Sequence, residues 1–283
     1  MKQLRTVDEL KHERDIYRGF GRTIGFVPTM GYLHEGHLSL VRQSRLENDV
    51  TIVSIFVNPT QFGPKEDFGN YPRNLERDLS LLAEVGVDIV FIPDREQLYP
   101  PPYRTFVQVE ELDQQLCGKS RPGHFRGVAT IVLKLFNIVH PNRAYFGSKD
   151  AQQVIIIKKM ARDLDLDTHV CALPIIRDVD GLALSSRNTY LSPEERQAAL
   201  SFPRALVSSK EAIKNGWHHV DKIIQLIQSE IAKNPAITID YIEVVSLDQL
   251  EHREQIDLQN TLVAGAVWVG KTRLIDNFIL GEI

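Results

Sequence analysis

His34 and His37 stand three residues apart in FVPTMGYLHEGH (26–37). The order predicts a short strand over 24–27, a Pro-Thr-Met-Gly turn, and a helix starting near 35–36 that turns Leu38, Leu40 and Val41 inward. A glycine-containing turn from strand to helix presents backbone N–H groups, and the helix behind it adds positive potential, so anionic oxygen can settle there. Two imidazoles beside such a turn can donate hydrogen bonds to phosphate, where charge builds up on phosphorus. Two other readings of HEGH stay open from these four residues: a metal pair, or two histidines on a solvated turn. No cysteine cluster or third histidine lies close by in sequence, which argues against metal.

Two later stretches carry compatible chemistry. Gly147, Ser148, Lys149 and Asp150 form a second glycine turn after an apolar run, with Lys149 as a point cation for phosphate. Ser185, Ser186 and Arg187 add hydroxyl donors and a guanidinium that can fork onto a phosphate. Each has an ordinary alternative: a surface lysine, loop serines, an arginine paired with nearby acids. Together, at strand ends and a domain junction, they point to one phosphate site. A basic loop, KSRPGHFRG (119–127), reads equally as a solvated turn or as a wall of that site.

The elements that must position these groups alternate. Thr6 and Glu9 have capping-box form and open a helix to about 17. Strands are expected at 24–27, 50–57, 88–92, 143–146 and 168–171, with a weak one at 106–109. Helices are expected at 35–48, 74–85 (Leu75, Leu79, Leu81 and Leu82 inward), 128–139 and 151–163. A loop is expected at 63–72. Ser192, Pro193 and Glu195 open a helix in strong form, and helices run to about 214 and over 219–233. Strands at 237–245, 261–269 and 272–279 end the chain, the last two joined by a Gly270-Lys271 hairpin turn. The expected fold is α/β: a Rossmann-like doubly wound parallel sheet in a domain over 1–176, then a smaller α+β domain over 177–283 with helices and a three-stranded antiparallel sheet. In open α/β sheets, ligands bind at the carboxyl ends of the strands.

The 283 residues, 43% hydrophobic and 25% charged, suit an ordinary globular protein. A net charge of −4 argues against a nucleic-acid binder relying on bulk electrostatics. No run is long enough to span a bilayer, and no apolar leader stands at the N-terminus. Cys117 and Cys171 match no metal or redox spacing, so a reducing, cytoplasmic location is expected.

The pairing of a His-x-Gly-His turn with a later Ser-Ser-Arg loop resembles the adenylate-forming nucleotidyltransferases, the superfamily that includes class I aminoacyl-tRNA synthetases. More closely, PTMGYLHEGH, FVNPTQF, RPGHF, YFGSKDAQQ and DGLALSSRN stand in the order and spacing of the pantothenate synthetase (pantoate–β-alanine ligase) family, across essentially the whole chain. The resemblance implies pantothenate formation for coenzyme A from pantoate, β-alanine and ATP, through a pantoyl adenylate. Pyrophosphate and then AMP are released, with Mg²⁺ bound to the ATP phosphates and no protein metal site. It implies a homodimer. It also implies residue roles. Met30, Gly31, Tyr32, Leu33, His34, Glu35, Gly36 and His37 would line the ATP site, His37 carrying the family's proton-donor label. Gln61 would contact pantoate and lie near β-alanine, and Gln153 would hold pantoate. Gly147, Ser148, Lys149 and Asp150 would hold ATP, and Ile176 would touch adenine by its backbone. Leu184, Ser185, Ser186 and Arg187 would close over the phosphates. The chemical step falls to His34, His37, Lys149, Ser186 and Arg187. Leu184 stands where the family often has Met, and Ser148 where it often has Glu; neither change removes a group the chemistry requires. Arg126 stands where a small or acidic residue is expected.

Rival readings are a nucleotidyltransferase that leaves the nucleotide on its product, as cytidylyltransferases do, and a nucleotide-binding regulator without turnover. The full set of polar and cationic groups exceeds what binding alone needs. An RNA-binding, synthetase-like role lacks a basic stripe.

Overall fold

The computed structural model describes residues 1–64 and 66–282. Six parallel strands form one sheet: β1 (Lys2–Leu4), β2 (Ile24–Thr29), β3 (Val50–Ile55), β4 (Ile89–Phe91), β5 (Arg143–Gly147) and β6 (His169–Leu173), in the order β1-β4-β3-β2-β5-β6. Three more, β7 (Ile237–Val245), β8 (Asn260–Val269) and β9 (Thr272–Gly281), form a separate antiparallel sheet. The helices are α1 (Val7–Gly19), α2 (Glu35–Glu47), α3 (Leu75–Glu84), α4 (Arg95–Leu98), α5 (Leu116–Ser120), α6 (His124–Val139), α7 (Ala151–Asp163), α8 (Pro193–Ala199), α9 (Ser201–Lys214) and α10 (Val220–Ala232).

Side chains on successive strand residues point to opposite faces, and both faces are covered. Phe26, Ile52, Ile89 and Ala144 share a core with residues of α1, α6 and α7. Their neighbours Val27, Val53, Val90 and Tyr145 share another with residues of α2 and α3. This is why β3 reads as a continuous β-branched run rather than an alternating one. The interior is not divided along the two sheets: Val245, Leu247, Leu262 and Ala264 of the C-terminal part belong to the same core as Phe26 and Phe146.

The chain reverses its winding between β2 and β5, the place where a crevice opens in such sheets. Pairing between these strands extends only over Gly25–Arg143 and Phe26–Ala144. Pro28, with no N–H to donate, lies beyond the last paired residue, while β2 stays paired with β3 to Thr29.

The doubly wound α/β sheet and the C-terminal three-stranded sheet are as expected, with three local differences. β1 was not foreseen; three residues of KQL at a sheet edge carry no pattern. The strand expected at 106–109 is absent, because the Val107 N–H donates to the Thr130 hydroxyl instead of a ladder. α6 starts at His124, not 128, since Gly123 at φ 82° lets the chain turn directly into the helix. The 63–72 stretch is turns and bends in its described residues; Lys65 lies outside them.

Candidate active site

The crevice at the β2/β5 gap is a cleft of about 240 Å³. Met30, His34, Gly36, His37, Gln61, Gly147, Lys149, Asp150, Gln153, Ile176, Leu184, Ser185, Ser186 and Arg187 line it. Segments far apart in sequence therefore meet here as the motifs suggested. Gly31, Tyr32, Leu33, Glu35 and Ser148 are not among the residues lining it. Leu33 is in the core, Glu35 pairs with Arg42, and the Tyr32 ring lies 5.6 Å from the Arg77 guanidinium.

The turn that carries the histidines differs from the expectation of bare N–H groups. The Tyr32 and Leu33 N–H groups donate to the two oxygens of Asp78, each at 2.7 Å, and the Gly31 N–H donates to the Thr29 hydroxyl at 3.2 Å. His34 is itself the N-cap of α2. Its Nδ1 accepts the Gly36 N–H at 3.2 Å, and the His37 Nδ1 accepts the His34 N–H at 3.3 Å. A neutral imidazole has one donor and one acceptor nitrogen. With each Nδ1 accepting, the ring proton sits on Nε2, and Nε2–H is the donor each ring brings to the cleft. Burial, then the nearby Lys149 and Arg77 charges, push the His34 pKa down to about 4. Burial, the neighbouring His34 and Lys149 push His37 well below the usual histidine value. The ring centroids are 4.1 Å apart, so a charge on one would fall directly on the other. Both rings are neutral donors at neutral pH.

Gln61 is held from both ends. Its side-chain oxygen accepts from Asn58 Nδ2 at 3.0 Å, and its Nε2 lies 3.3 Å from the Met30 sulfur. Its backbone carbonyl accepts the His124 Nδ1–H at 2.8 Å, while Nε2 of that ring accepts from Arg121 at 3.0 Å. Burial and the Arg121 charge take His124 to about 4. The basic 119–127 stretch thus contributes Arg121 and His124 to the cleft wall. Arg126 points elsewhere: it is exposed, with its guanidinium 4.0 Å from the Phe106 ring centre. Gln152, next to Gln153, accepts from the Cys117 N–H and donates to the Leu112 and Gln115 carbonyls, a structural role.

Arg187 reaches the cleft already paired. It donates to both oxygens of Asp67, at 3.0 and 2.8 Å. Beside it Arg121 forks onto Glu66, and the Ser186 hydroxyl meets Tyr71 at 3.1 Å. The 147–150 turn is pinned from the second sheet, where Asn277 Nδ2 donates to the Ser148 and Lys149 carbonyls, each at 2.9 Å. Asp276 beside it takes the Arg177 guanidinium on both oxygens.

Asp78 and Asn277 were not singled out by sequence, and Asn58 and His124 stood out only as members of FVNPTQF and RPGHF. Asp78 had a readable signal: it occupies an inward position between Leu75 and Leu82 on an amphipathic helix. Asp276 and Asn277 likewise interrupt an apolar strand with two adjacent buried polar residues. Among the described residues no group of three or more His, Cys, Asp or Glu could hold a metal ion, and no helix is long and apolar enough to cross a membrane.

Comparison with known proteins identifies the family. The profile of the Pantoate-beta-alanine ligase family matches residues 2–279. A pantothenate synthetase of Pseudothermotoga lettingae is 56% identical over 284 residues, covering 100% of both chains. That of Acetivibrio thermocellus is 55% identical over 280 residues, covering 99% of each. The crystal structure of pantothenate synthetase from Thermus thermophilus superposes with a TM-score of 0.94 at 43% identity, over 100% of both chains. The pantoate-beta-alanine ligase of Francisella tularensis, solved in complex with beta-gamma ATP and beta-alanine, gives 0.81 at 35% identity, over 99% of this chain and 97% of that one. The chain belongs to the pantoate–β-alanine ligase family.

Proposed function

We propose that the cleft condenses pantoate with β-alanine, driven by ATP, in two steps. The observation that carries this reading is the convergence of two neutral Nε2–H donors, Lys149, Ser186 and Arg187 on the same cleft as Gln61 and Gln153. In the first step a pantoate carboxylate oxygen bonds to the α-phosphorus and the bond to pyrophosphate breaks. Two anions must approach, and the fixed donors and cations offset their repulsion. The attacking carboxylate is already ionised, so no proton has to be removed from it. A neutral imidazole is a poor acid but a good hydrogen-bond donor; His37 acts here by stabilising charge, not by giving up a proton. In the second step the neutral β-alanine amine attacks the acyl carbon, the bond to AMP breaks with the electron pair leaving on the AMP phosphate, and the amide forms as the amine proton passes to solvent. Amide side chains both donate and accept, which suits Gln61 and Gln153 to pantoate's hydroxyl and carboxylate oxygens.

Asp150, a carboxylate on the cleft wall beside Lys149, would meet a divalent ion that arrives on the triphosphate. Mg²⁺ held in this way would neutralise phosphate charge and improve pyrophosphate as a leaving group. A nucleotide- and pantoate-binding part (1–176) and a lid part (177–283) is the division proposed, the lid meeting the first part through Ser186–Tyr71, Arg187–Asp67 and Asn277–Ser148. The lid keeps water from the adenylate. We further propose a cytoplasmic homodimer. Sedimentation tests the dimer.

The deciding experiment is pyrophosphate release with ATP and Mg²⁺, adding pantoate and then β-alanine, with products identified by mass. The expected result is pyrophosphate on pantoate alone, then pantothenate and AMP once β-alanine is present. A folded, ATP-binding protein with no pantoate-dependent release would overturn the reading and favour another nucleotidyltransferase substrate.

A further inference from the structure

We propose that Asp78 is a positioning residue: its carboxylate fills an anion-binding nest in the 31–33 backbone and so fixes where His34 and His37 present their Nε2–H groups. The inference rests on the reading of those imidazoles as donors to the triphosphate.

Gly31 and Tyr32 have φ of 82° and 50°, two left-handed residues in succession. For tyrosine this conformation is strained, and it persists only where surroundings enforce it. Its effect is to aim two consecutive N–H groups the same way, as in backbone nests that hold phosphate. Here the anion comes from the chain itself: each Asp78 oxygen takes one N–H at 2.7 Å. A Cβ at position 31 would lie 3.0 Å from both Asp78 Oδ2 and Ile55 Cγ2, so the tight contact and the φ of 82° both favour glycine there.

Asp78 is 1% exposed, and its ion pair is a long one. The Arg77 guanidinium stays 3.9 Å away and donates instead to the Leu33 carbonyl at 2.8 Å. Burying a carboxylate on these terms costs stability, and burial accordingly raises the Asp78 pKa. The group is a poor stabiliser. What it does determine is the path of the chain into His34, the N-cap of α2, whose N–H then meets His37. A displacement of about 1 Å in such a contact lowers a rate on the order of 10²-fold.

The test uses full-length Asp78→Asn and Asp78→Ala, with kcat and KM measured for ATP and pantoate, with and without sodium formate. Asp78→Asn is expected to lower kcat by about 10- to 100-fold, with KM for pantoate changed less than about twofold. Formate at about 50 mM is expected to restore several-fold activity to Asp78→Ala, by re-entering the nest, and to leave the wild type unaffected. Combining Asp78→Asn with His37→Ala should be little worse than His37→Ala alone. A normal kcat in Asp78→Asn, a pantoate KM that rises as far as kcat falls, a fully additive double variant, or no formate rescue of folded Asp78→Ala overturns the proposal. Should Asp78→Ala not fold, the kcat-against-KM split of Asp78→Asn decides. A normal Asp78→Asn beside an impaired His37→Ala leaves the donor reading standing without the positioning role. A near-normal His37→Ala removes the donor reading itself.

Discussion

The Nδ1 atom of His37 accepts the backbone N–H of His34 at 3.3 Å. That one contact ties the two histidines together and decides what each can do. It holds the His37 proton on Nε2, and the 4.1 Å spacing of the rings disfavours charge on either. His37→Ala is expected to slow pantoate-dependent ATP–pyrophosphate exchange on the order of 10²–10³-fold, as for loss of one oxyanion donor. Because His34 is held at about 4 and His37 well below its usual value, kcat/KM for ATP should show no acid limb near pH 6.5. A limb at that pH that vanishes in His37→Ala would mean that the ring titrates normally and transfers a proton.

The same burial makes stability depend on pH. His34 and His124 are held at about 4 and His37 well below its usual value of 6.5. Below pH 6.5 the unfolded chain takes up protons that the folded chain refuses, so more protons are bound in the unfolded state and stability falls on acidification. The stabilisation is complete above pH 6.5 and is lost progressively as the pH drops toward 4. Each histidine contributes a slope of up to about 1.4 kcal/mol per pH unit. Urea denaturation at pH 7, 6 and 5 should show a falling midpoint, and His124→Asn should flatten the slope by up to one proton. An unchanged midpoint from pH 7 to 5 would contradict the neutral-histidine reading.

What could be read in the sequence was mostly local. The Thr6/Glu9 and Ser192/Glu195 capping boxes form as expected, because both partners lie within one helical turn. The Gly270-Lys271 turn joins β8 and β9 as expected for the same reason, with Val269 opposite Thr272. The histidine, Lys149 and Ser186-Arg187 segments were recognisable by residue type, and the parallel sheet brings them to one cleft. What escaped depends on contacts distant in sequence. Asp78 meets Tyr32 across 46 residues, and Asn277 meets Lys149 across 128. Nothing within either segment names its partner; only an anomalous polar residue on an apolar face hints that one exists. The prior engagement of Arg187 by Asp67 is likewise invisible without the fold.

That engagement makes a prediction about ATP. In this structure the Arg187 fork is filled by Asp67, whose carboxyl is held low by the guanidinium despite burial. A triphosphate that uses Arg187 must compete with this partner. Asp67→Asn keeps the shape and removes the charge, so KM for ATP should fall several-fold, on the order of 1 kcal/mol of competing charge-assisted bonding. Arg187→Lys, which cannot make the two parallel bonds, should raise it. An ATP KM unchanged in both variants would place the phosphates away from Arg187.

Gln61 offers the sharpest steric test. A Cβ on Gly127 would fall 2.4 Å from the Thr60 carbonyl oxygen and 2.7 Å from the Gln61 Cα, both backbone atoms that cannot swing away. The Gly127 carbonyl also accepts from Asn58 Nδ2, the group that orients the Gln61 amide. Gly127→Ala must therefore push the 58–61 turn off α6 and rotate the Gln61 side chain out of its present position. The overpacking should cost about 1–3 kcal/mol of stability. The displaced amide should raise KM for pantoate about tenfold, with KM for ATP changed much less, since one lost hydrogen bond to a charged group is worth roughly 1.5 kcal/mol or more. Steady-state kinetics with each substrate varied in turn separates the two. Equal increases for ATP and pantoate would mean that Gln61 does not face pantoate and that the strain spreads through the whole cleft.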